Sequence, residues 1–385
     1  MKICGIICEF NPFHNGHGYL LRRAREISGC DFLICIMSGS FTQRGDICIS
    51  DKYTRAKHAI LGGADCVLEL PAAFSVAPAE IFARGAIKML SSIPDFTALS
   101  FGCESADIQN LLSSARILND EPANFKEILA QNLKEGQSFI KSRQAAFEAV
   151  GGNGELLNSP NNVLAVEYVK AILKTGKNIE IYPVKRIGAG YNDENLTNNY
   201  SSASAIRKNL KSPEIANNVP PYVLNDIKDF SSETDRYEEF LRLILTRTDA
   251  ETLKKIYGCT EGLENTLKKC ENENLNKIIE NVTSKRYSSA RIKRILCANF
   301  LRLYISDCES YLNSSLYLKP LAVKKQASAD ILAALSLSDF PLITSGSDVL
   351  KLNEIAKKCK NSDDFAFKQW KIIANSDISD KLLII

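Results

Sequence analysis

Two of the chain's three histidines fall within four residues of each other, in His14-Asn15-Gly16-His17, and the third, His58, is also near the start. Asn11-Pro12 reads as a turn and the apolar run ICGIIC before it as a buried strand, so the motif should open a helix. The first amides of a helix have no intrahelical partner and sit at the positive end of its dipole, which suits an anion. Three residues apart, His14 and His17 project from one face of that first turn, while Gly16 removes a Cβ that would keep an anion from the backbone. Two imidazoles and bare amides converging on one spot would hold a triphosphate and stabilise charge during group transfer. Zinc lacks a third ligand here.

Elements at a regular spacing must position this chemistry. Apolar runs at 3–8, 32–37, 66–70 and 97–101 are continuous rather than alternating, as in strands covered on both faces. Stretches with helical spacing lie between them, at 16–28, 51–61 and 79–92. Repeats of about 30 residues are what right-handed strand–helix–strand crossovers need. The expected fold class is therefore α/β, a doubly wound Rossmann-like parallel sheet with ligands beyond its carboxyl ends. Residues 104–155 break the rhythm and read as a helical insertion. A helix at 162–174 and a fifth strand at 178–183 follow. From 205 onward the periodicity is mainly helical, with a small late α/β element at 319–345. The division expected is a catalytic nucleotide-binding domain at 1–210 and a mainly α-helical C-terminal domain at 211–385.

With 385 residues, 45% hydrophobic and 24% charged, the chain is neither a disordered nor a disulfide-scaffold sequence, and two domains are expected. No apolar run reaches the roughly 20 residues of a membrane span, and no secretory signal is read at Met1-Lys2-Ile3. Twelve scattered cysteines suit reduced thiols and a cytoplasmic location. A net charge of +3 says little about partners, but its distribution says more. Residues 281–303 carry Lys285, Arg286, Arg291, Lys293, Arg294 and Arg302 with no acid. Arg291 and Arg294 share a helical face, and Tyr287 could stack on a base, so this run is the candidate RNA surface; the bland alternative is a basic solvated helix.

His14-Asn15-Gly16-His17 resembles the HxGH signature of nucleotidyltransferases related to class I aminoacyl-tRNA synthetases. Their second, serine-rich element is matched by Ser201-Ser202-Ala203-Ser204-Ala205-Ile206-Arg207, which offers hydroxyl and amide donors and a guanidinium fork. Further stretches resemble the bacterial tRNA(Met) cytidine acetate ligase family: Glu9-Phe10-Asn11-Pro12-Phe13, Met37-Ser38-Gly39-Ser40-Phe41-Thr42-Gln43-Arg44-Gly45, Ala64-Asp65-Cys66-Val67-Leu68-Glu69-Leu70-Pro71 and Phe101-Gly102-Cys103-Glu104. So do Ser159-Pro160-Asn161-Asn162, Lys185-Arg186-Ile187-Gly188-Ala189-Gly190-Tyr191, Glu261-Gly262-Leu263-Glu264-Asn265 and Ser284-Lys285-Arg286-Tyr287. One departure is Cys103, where the family commonly has Ser.

The resemblance implies a two-step ligase. Acetate attacks the α-phosphorus of ATP, giving acetyl-adenylate and pyrophosphate. The N4 amine of the wobble cytidine in elongator tRNA(Met) then takes the acetyl group and AMP leaves. Mg²⁺ is the ion such chemistry generally uses. By the same resemblance Ile7, Cys8, Glu9, Phe10, Asn11, Pro12, Phe13, His14, Asn15, Gly16, His17, Gly18, Tyr19 and Leu20 form the ATP loop and helix start. Gly102, Asn162, Arg186, Ser202 and Arg207 are the further nucleotide contacts, with His14 and His17 catalytic. Lys285, Arg286, Arg291 and Arg294 would meet the tRNA, and neither DNA nor membrane is expected as a partner.

Several residues carry two readings. Gln43 and Arg44 could reach a phosphate or tRNA, or belong to a surface loop. Lys52, Arg55 and Lys57 could be a solvated face or phosphate ligands, and His58 reads as packed. Two other functions stay open: a small-molecule adenylyltransferase of the HxGH kind, and an RNA-binding protein with a vestigial nucleotide site.

Overall fold

A computed structural model describes residues 1–188, 195–196, 199–284 and 286–385. Ala189, Gly190 and Tyr191 of the 185–191 stretch, and Lys285 of the basic run, lie outside the described residues.

Five strands, β1 (Ile3–Cys8), β2 (Phe32–Ser38), β3 (Cys66–Leu70), β4 (Phe96–Cys103) and β5 (Glu180–Lys185), run parallel. Every residue of β1 and β3 is buried, which is why their runs are apolar throughout. Pro183 stands in β5 at an outer edge, where a missing amide breaks no ladder. Among the described residues the sheet has seven strands in the order β5-β4-β1-β2-β3-β6-β7, with β6 at Pro320–Val323 and β7 at Leu383–Ile384. The α/β expectation is borne out: helices such as α1 (Asn15–Ser28) and α2 (Lys52–Leu61) connect the parallel strands.

After β4 come helices Ile108–Asp120, Ala123–Lys134 and Phe139–Ala149, then Pro160–Thr175 leading to β5. Beyond residue 230 lie helices Ser231–Arg247, Leu275–Val282 and Ser289–Leu301, among others. The late α/β element does not stand apart. β6 (Pro320–Val323) pairs antiparallel with β3, and β7 (Leu383–Ile384) pairs with β6.

A buried charge cluster fastens this return. Lys52 is fully buried with Nζ 2.7 Å from Glu69 Oε1, and Lys319 Nζ reaches Asp380 Oδ1 at 2.8 Å. Trp370, on helix Glu354–Ile373, donates from Nε1 to the Cys48 carbonyl at 2.8 Å. The last residues thus support the sheet that carries the site. Buried charges are tolerated only when paired, and Lys319 Nζ, 3.4 Å from Glu69 Oε2, and Lys52 Nζ, 3.7 Å from Asp380 Oδ1, link the last part of the chain to the first.

Candidate nucleotide site

At the carboxyl end of β1 the chain turns on Phe10, whose φ of 49° lies in the left-handed region that bulky residues rarely adopt. The turn puts the Phe10 ring in the core, with its centroid 5.0 Å from that of Phe13 and 4.8 Å from that of His17. His14 then caps α1. Gly16 N donates to His14 Nδ1 at 3.1 Å, and His14 N donates to His17 Nδ1 at 3.3 Å. Imidazoles occupy the two places that Ser and Glu usually hold in a capping box.

Because both Nδ1 atoms accept, each neutral ring carries its proton on Nε2. Burial keeps them neutral. His14 is pushed down to about 3 by burial, then by Arg186 and Arg207. His17 lies well below the ordinary histidine range, through burial and then His14 and Arg186. The rings stack with centroids 3.6 Å apart and planes 26° apart, so two imidazolium charges there would repel. The pair is therefore a neutral set of N–H donors. Gly16 has a reason the sequence did not show: an added Cβ would stand 2.9 Å from His14 Cε1, blocking the ring from folding over the first turn.

A narrow cleft beyond the strand ends is lined by His14, Gly16, His17, Gly102, Arg186 and Ser201. Tyr19 and Leu20 also border it. Residues from the first motif, from β4 and from the end of β5 are thus brought together. Ile7, Cys8, Phe10, Asn11, Pro12 and Phe13 are buried behind the loop and shape it. Asn11 Oδ1, for example, accepts from Ile49 N at 2.9 Å. Glu9 Oε1 accepts from Gln43 N at 2.6 Å, and burial raises its carboxyl pKa.

The second motif meets the first. Arg207 Nη1 donates to the Asn11 carbonyl at 2.7 Å, and Nη2 to Ser204 Oγ at 3.3 Å. Asn15 Nδ2 donates to the carbonyls of Asn199 at 3.1 Å and Asn217 at 2.9 Å. Ser202 Oγ accepts from Ala205 N at 3.0 Å, capping helix Ala203–Lys208. Asn162 is buried outside the cleft lining, and its Oδ1 accepts from Glu104 N and Ser105 N, each at 3.0 Å. It holds the loop that follows β4.

Sequence reasoning assigned no role to Glu104. Its carboxylate accepts from Ser159 Oγ and Asn161 Nδ2, both at 2.6 Å, and lies 3.9 Å from Arg186 Nε. It ties the Ser159–Asn162 stretch to the arginine in the cleft. The only signal was that both stretches belong to the same resemblance. Cys103 Sγ is buried and donates to the Ser105 carbonyl at 3.1 Å, so the departure from Ser is absorbed within the loop.

The expectations for Arg55 and Lys52 are corrected. Arg55 is neither solvated nor in the cleft lining: fully buried, it donates to the carbonyls of Glu9 at 2.6 Å and of Ser38 and Ser50 at 3.1 Å, and to that of Gly39. Lys52 belongs to the buried charge cluster, and Lys57 pairs with Asp226 at 2.6 Å. The Gln43 side chain donates to the Ala77 carbonyl at 2.8 Å. His58 is packed, as read, with Nε2 2.8 Å from Asp226 Oδ2. In the basic run Arg286 is exposed. Arg291 donates to the Gly258 carbonyl at 3.0 Å and Thr260 Oγ1 at 2.8 Å, and its guanidinium lies 4.9 Å from the Tyr287 ring centroid. Burial, then Arg291 and Arg44, push Arg294 down to about 10.

Among the described residues no group of three His, Cys, Asp or Glu side chains could hold a metal ion. No helix among them is long and apolar enough to cross a membrane.

Residues 1–379 match the family described as HIGH Nucleotidyl Transferase. The chain is 37% identical over 377 residues to the tRNA(Met) cytidine acetate ligase of Clostridium tetani, covering 93% of this chain and 91% of that one. It is 35% identical over 397 residues to the ligase of the same name from Clostridium acetobutylicum, covering 98% and 96%. Its fold matches the crystal structure of apo Thermotoga maritima TmcAL with a TM-score of 0.90 at 29% identity over the whole of both chains. It matches the same protein bound with alpha-thio ATP with a TM-score of 0.89 at 28% identity.

Proposed function

Because this chain belongs to the tRNA(Met) cytidine acetate ligases, within the HIGH nucleotidyl transferases, we propose that it activates acetate with ATP and acetylates a cytidine of tRNA(Met). The reading is a ligase reaction at N4 of the wobble cytidine of the elongator tRNA, through acetyl-adenylate. The observation that carries it is the junction of the two motifs. His14, His17 and Ser201 line one cleft with Arg186, and Arg207 is anchored to the loop that precedes His14.

The chemistry follows from those groups. In this reading the Nε2–H donors of two neutral imidazoles and the guanidinium of Arg186, residues that line the cleft, meet the phosphate oxygens. Donors fixed in place before reaction stabilise the charge that grows as pyrophosphate departs, without reorganising. Keeping the imidazoles neutral leaves the cleft's positive charge to Arg186 and Lys185. Acetate needs this activation because a cytosine amine, its lone pair delocalised into the ring, attacks only an acyl carbon bearing a good leaving group. Mg²⁺ is commonly held by one or two carboxylates together with substrate phosphates, so in this reading it comes in with the triphosphate.

Arg286, Arg291 and Arg294 stand as RNA contacts in this reading, together with Lys285. The alternatives are less well supported. Almost 180 residues follow Arg207, more than a small-molecule adenylyltransferase would use. An intact His14, His17 and Arg207 constellation does not suit a vestigial site. The test is incubation with ATP, acetate and bacterial tRNA, followed by nucleoside mass analysis. N4-acetylcytidine that depends on both ATP and acetate is the expected result. ATP turnover without any modified nucleoside would point to small-molecule transfer, and neither activity would leave only RNA binding.

A further inference from the structure

Helix Ala203–Lys208 and the serines that lead into it form a wall between two clefts. Ser201 lines the nucleotide cleft. Ser204 and Arg207 line a second, wider cleft of about 980 Å³. That cleft runs between residues 44–49, which follow β2, and helices Ser231–Arg247, Leu275–Val282 and Ser289–Leu301. Its size is at the upper end of ligand pockets, which span roughly 300–1,000 Å³.

The lining is basic on balance. Arg44, Arg207, Lys208, Lys211 and Lys293 contribute positive charge, against Asp46, Asp229 and Glu238. Lys211 pairs with Asp229 at 3.0 Å and Lys293 with Asp46 at 3.1 Å. The Lys211 side chain is 76% exposed, so this cation stands at the rim, in reach of solvent. Burial and the nearby Asp235 raise the carboxyl pKa of Glu238, which weakens the opposing charge. The loop wall is fixed where it meets the helices. Gly45 has φ 81°, its carbonyl accepts from Tyr237 Oη at 2.8 Å, and an added Cβ would stand 2.6 Å from the Lys293 carbonyl oxygen.

The basic run read from the sequence does not turn its arginines toward this space. Arg291 is committed to Gly258 and Thr260, whereas Lys293, between Arg291 and Arg294, lines the cleft. Single-stranded nucleic acid is held in positively charged grooves that follow its backbone, and RNA loops are recognised with their bases unstacked. A base attacked at the adenylate must also leave its stack.

Resting on the acetyl-transfer reading, we propose that this second cleft seats a single-stranded RNA loop. Its phosphates lie against Lys211, Lys293, Lys208 and Arg44, and the target base passes the Ser204–Arg207 wall to reach the acyl group. The experiment compares wild type with the double variant Lys211→Glu, Lys293→Glu and, separately, with Thr234→Trp, which fills the cleft without changing charge. Acetate-dependent ATP–pyrophosphate exchange and tRNA acetylation are measured for each. The expected result is exchange within twofold of wild type in both variants. The double variant should raise the KM for tRNA at least tenfold and flatten its dependence on log salt by about 1.4. An unchanged KM for tRNA, or a parallel loss of exchange and acetylation in both variants, overturns the proposal. Absence of exchange in the wild type would instead overturn the acetyl-transfer reading, and filter retention of labelled tRNA would then test the cleft alone: equal retention by wild type and double variant would overturn it.

Discussion

Arg207 and Asn11 are 196 positions apart in the chain, yet a guanidinium nitrogen of one lies 2.7 Å from the carbonyl oxygen of the other. The contact makes the second motif a structural support for the first. Its planar fork also reaches Ser204, a geometry that a lysine ammonium cannot reproduce. Arg207→Lys is therefore expected to keep the fold but lower kcat/KM for ATP at least tenfold in acetate-dependent pyrophosphate exchange. A Lys variant with wild-type kinetics would show that the fork does not matter.

His14 combines two duties that one substitution can separate. Asn is among the best N-cap residues and can accept from the Gly16 amide as the imidazole does. It cannot present the stacked Nε2–H donor. His14→Asn should hold its melting temperature within a few degrees of wild type while exchange falls by about 10²–10³-fold, the typical loss of one preorganised donor. Retained exchange in His14→Asn and in His17→Ala would remove the phosphate-binding role.

Both cleft histidines have depressed pKa values, through burial before any neighbouring charge. In the unfolded chain each takes up a proton near pH 6.5, whereas in the folded chain neither does until well below that. The unfolded state binds more protons, so their contribution to stability falls as pH drops below about 6.5, by at most about 1.4 kcal/mol per pH unit for each. Asp363, raised to about 7 by burial and then Glu69, acts with the opposite sign between pH 4 and 7, so a difference against wild type is required. The double variant His14→Asn, His17→Asn should lose less denaturant stability than wild type between pH 6.5 and 5. In wild type, nitrogen NMR at pH 5.5 should show two neutral imidazoles protonated at Nε2. An imidazolium signal for either would contradict the site's electrostatics.

The parallel sheet was readable because strands covered on both faces leave continuous apolar runs at crossover spacing, as at 3–8 and 66–70. The histidine motif was readable because its chemistry is local, confined to one helix start. What escaped reading depends on contacts between distant segments. β6 joins the sheet beside β3 through a pairing that no local periodicity encodes. Glu104 looked like an ordinary loop acid until the fold set Ser159 and Asn161 against it. Lys52 and Arg55 sit on an amphipathic helix, where charge normally means solvent, yet both are fully buried against partners from other parts of the chain.

In the basic run, Arg291 and Arg294 are both engaged by the fold, Arg291 through hydrogen bonds and Arg294 through burial. Arg291 is hydrogen-bonded to the turn at Gly258 and Thr260, while Arg294 sits near Arg44. Arg291→Glu with Arg294→Glu should leave pyrophosphate exchange near wild type and reduce tRNA acetylation at least tenfold, exchange serving as the check on folding. Equal loss of both activities would show that these arginines support the fold rather than the RNA.

Arg55 carries the last prediction. Its guanidinium is buried, and among the described residues it has no carboxylate within ion-pair distance. The carbonyls of Glu9, Ser38, Gly39 and Ser50 surround it instead. Those carbonyls belong to the ends of β1 and β2 and to the start of α2, so one side chain sets the spacing of the loops around the nucleotide cleft. Arg55→Met fills similar volume but leaves the four carbonyls without these donors, at a cost of about 3 kcal/mol or more. Tm should fall by about 5 °C or more. Arg55→Lys restores a cation without the fork, and should recover part of the Tm while kcat for exchange stays low and the KM for ATP changes little. Wild-type exchange in Arg55→Lys would show that a charge suffices and that the fork does not position the loops.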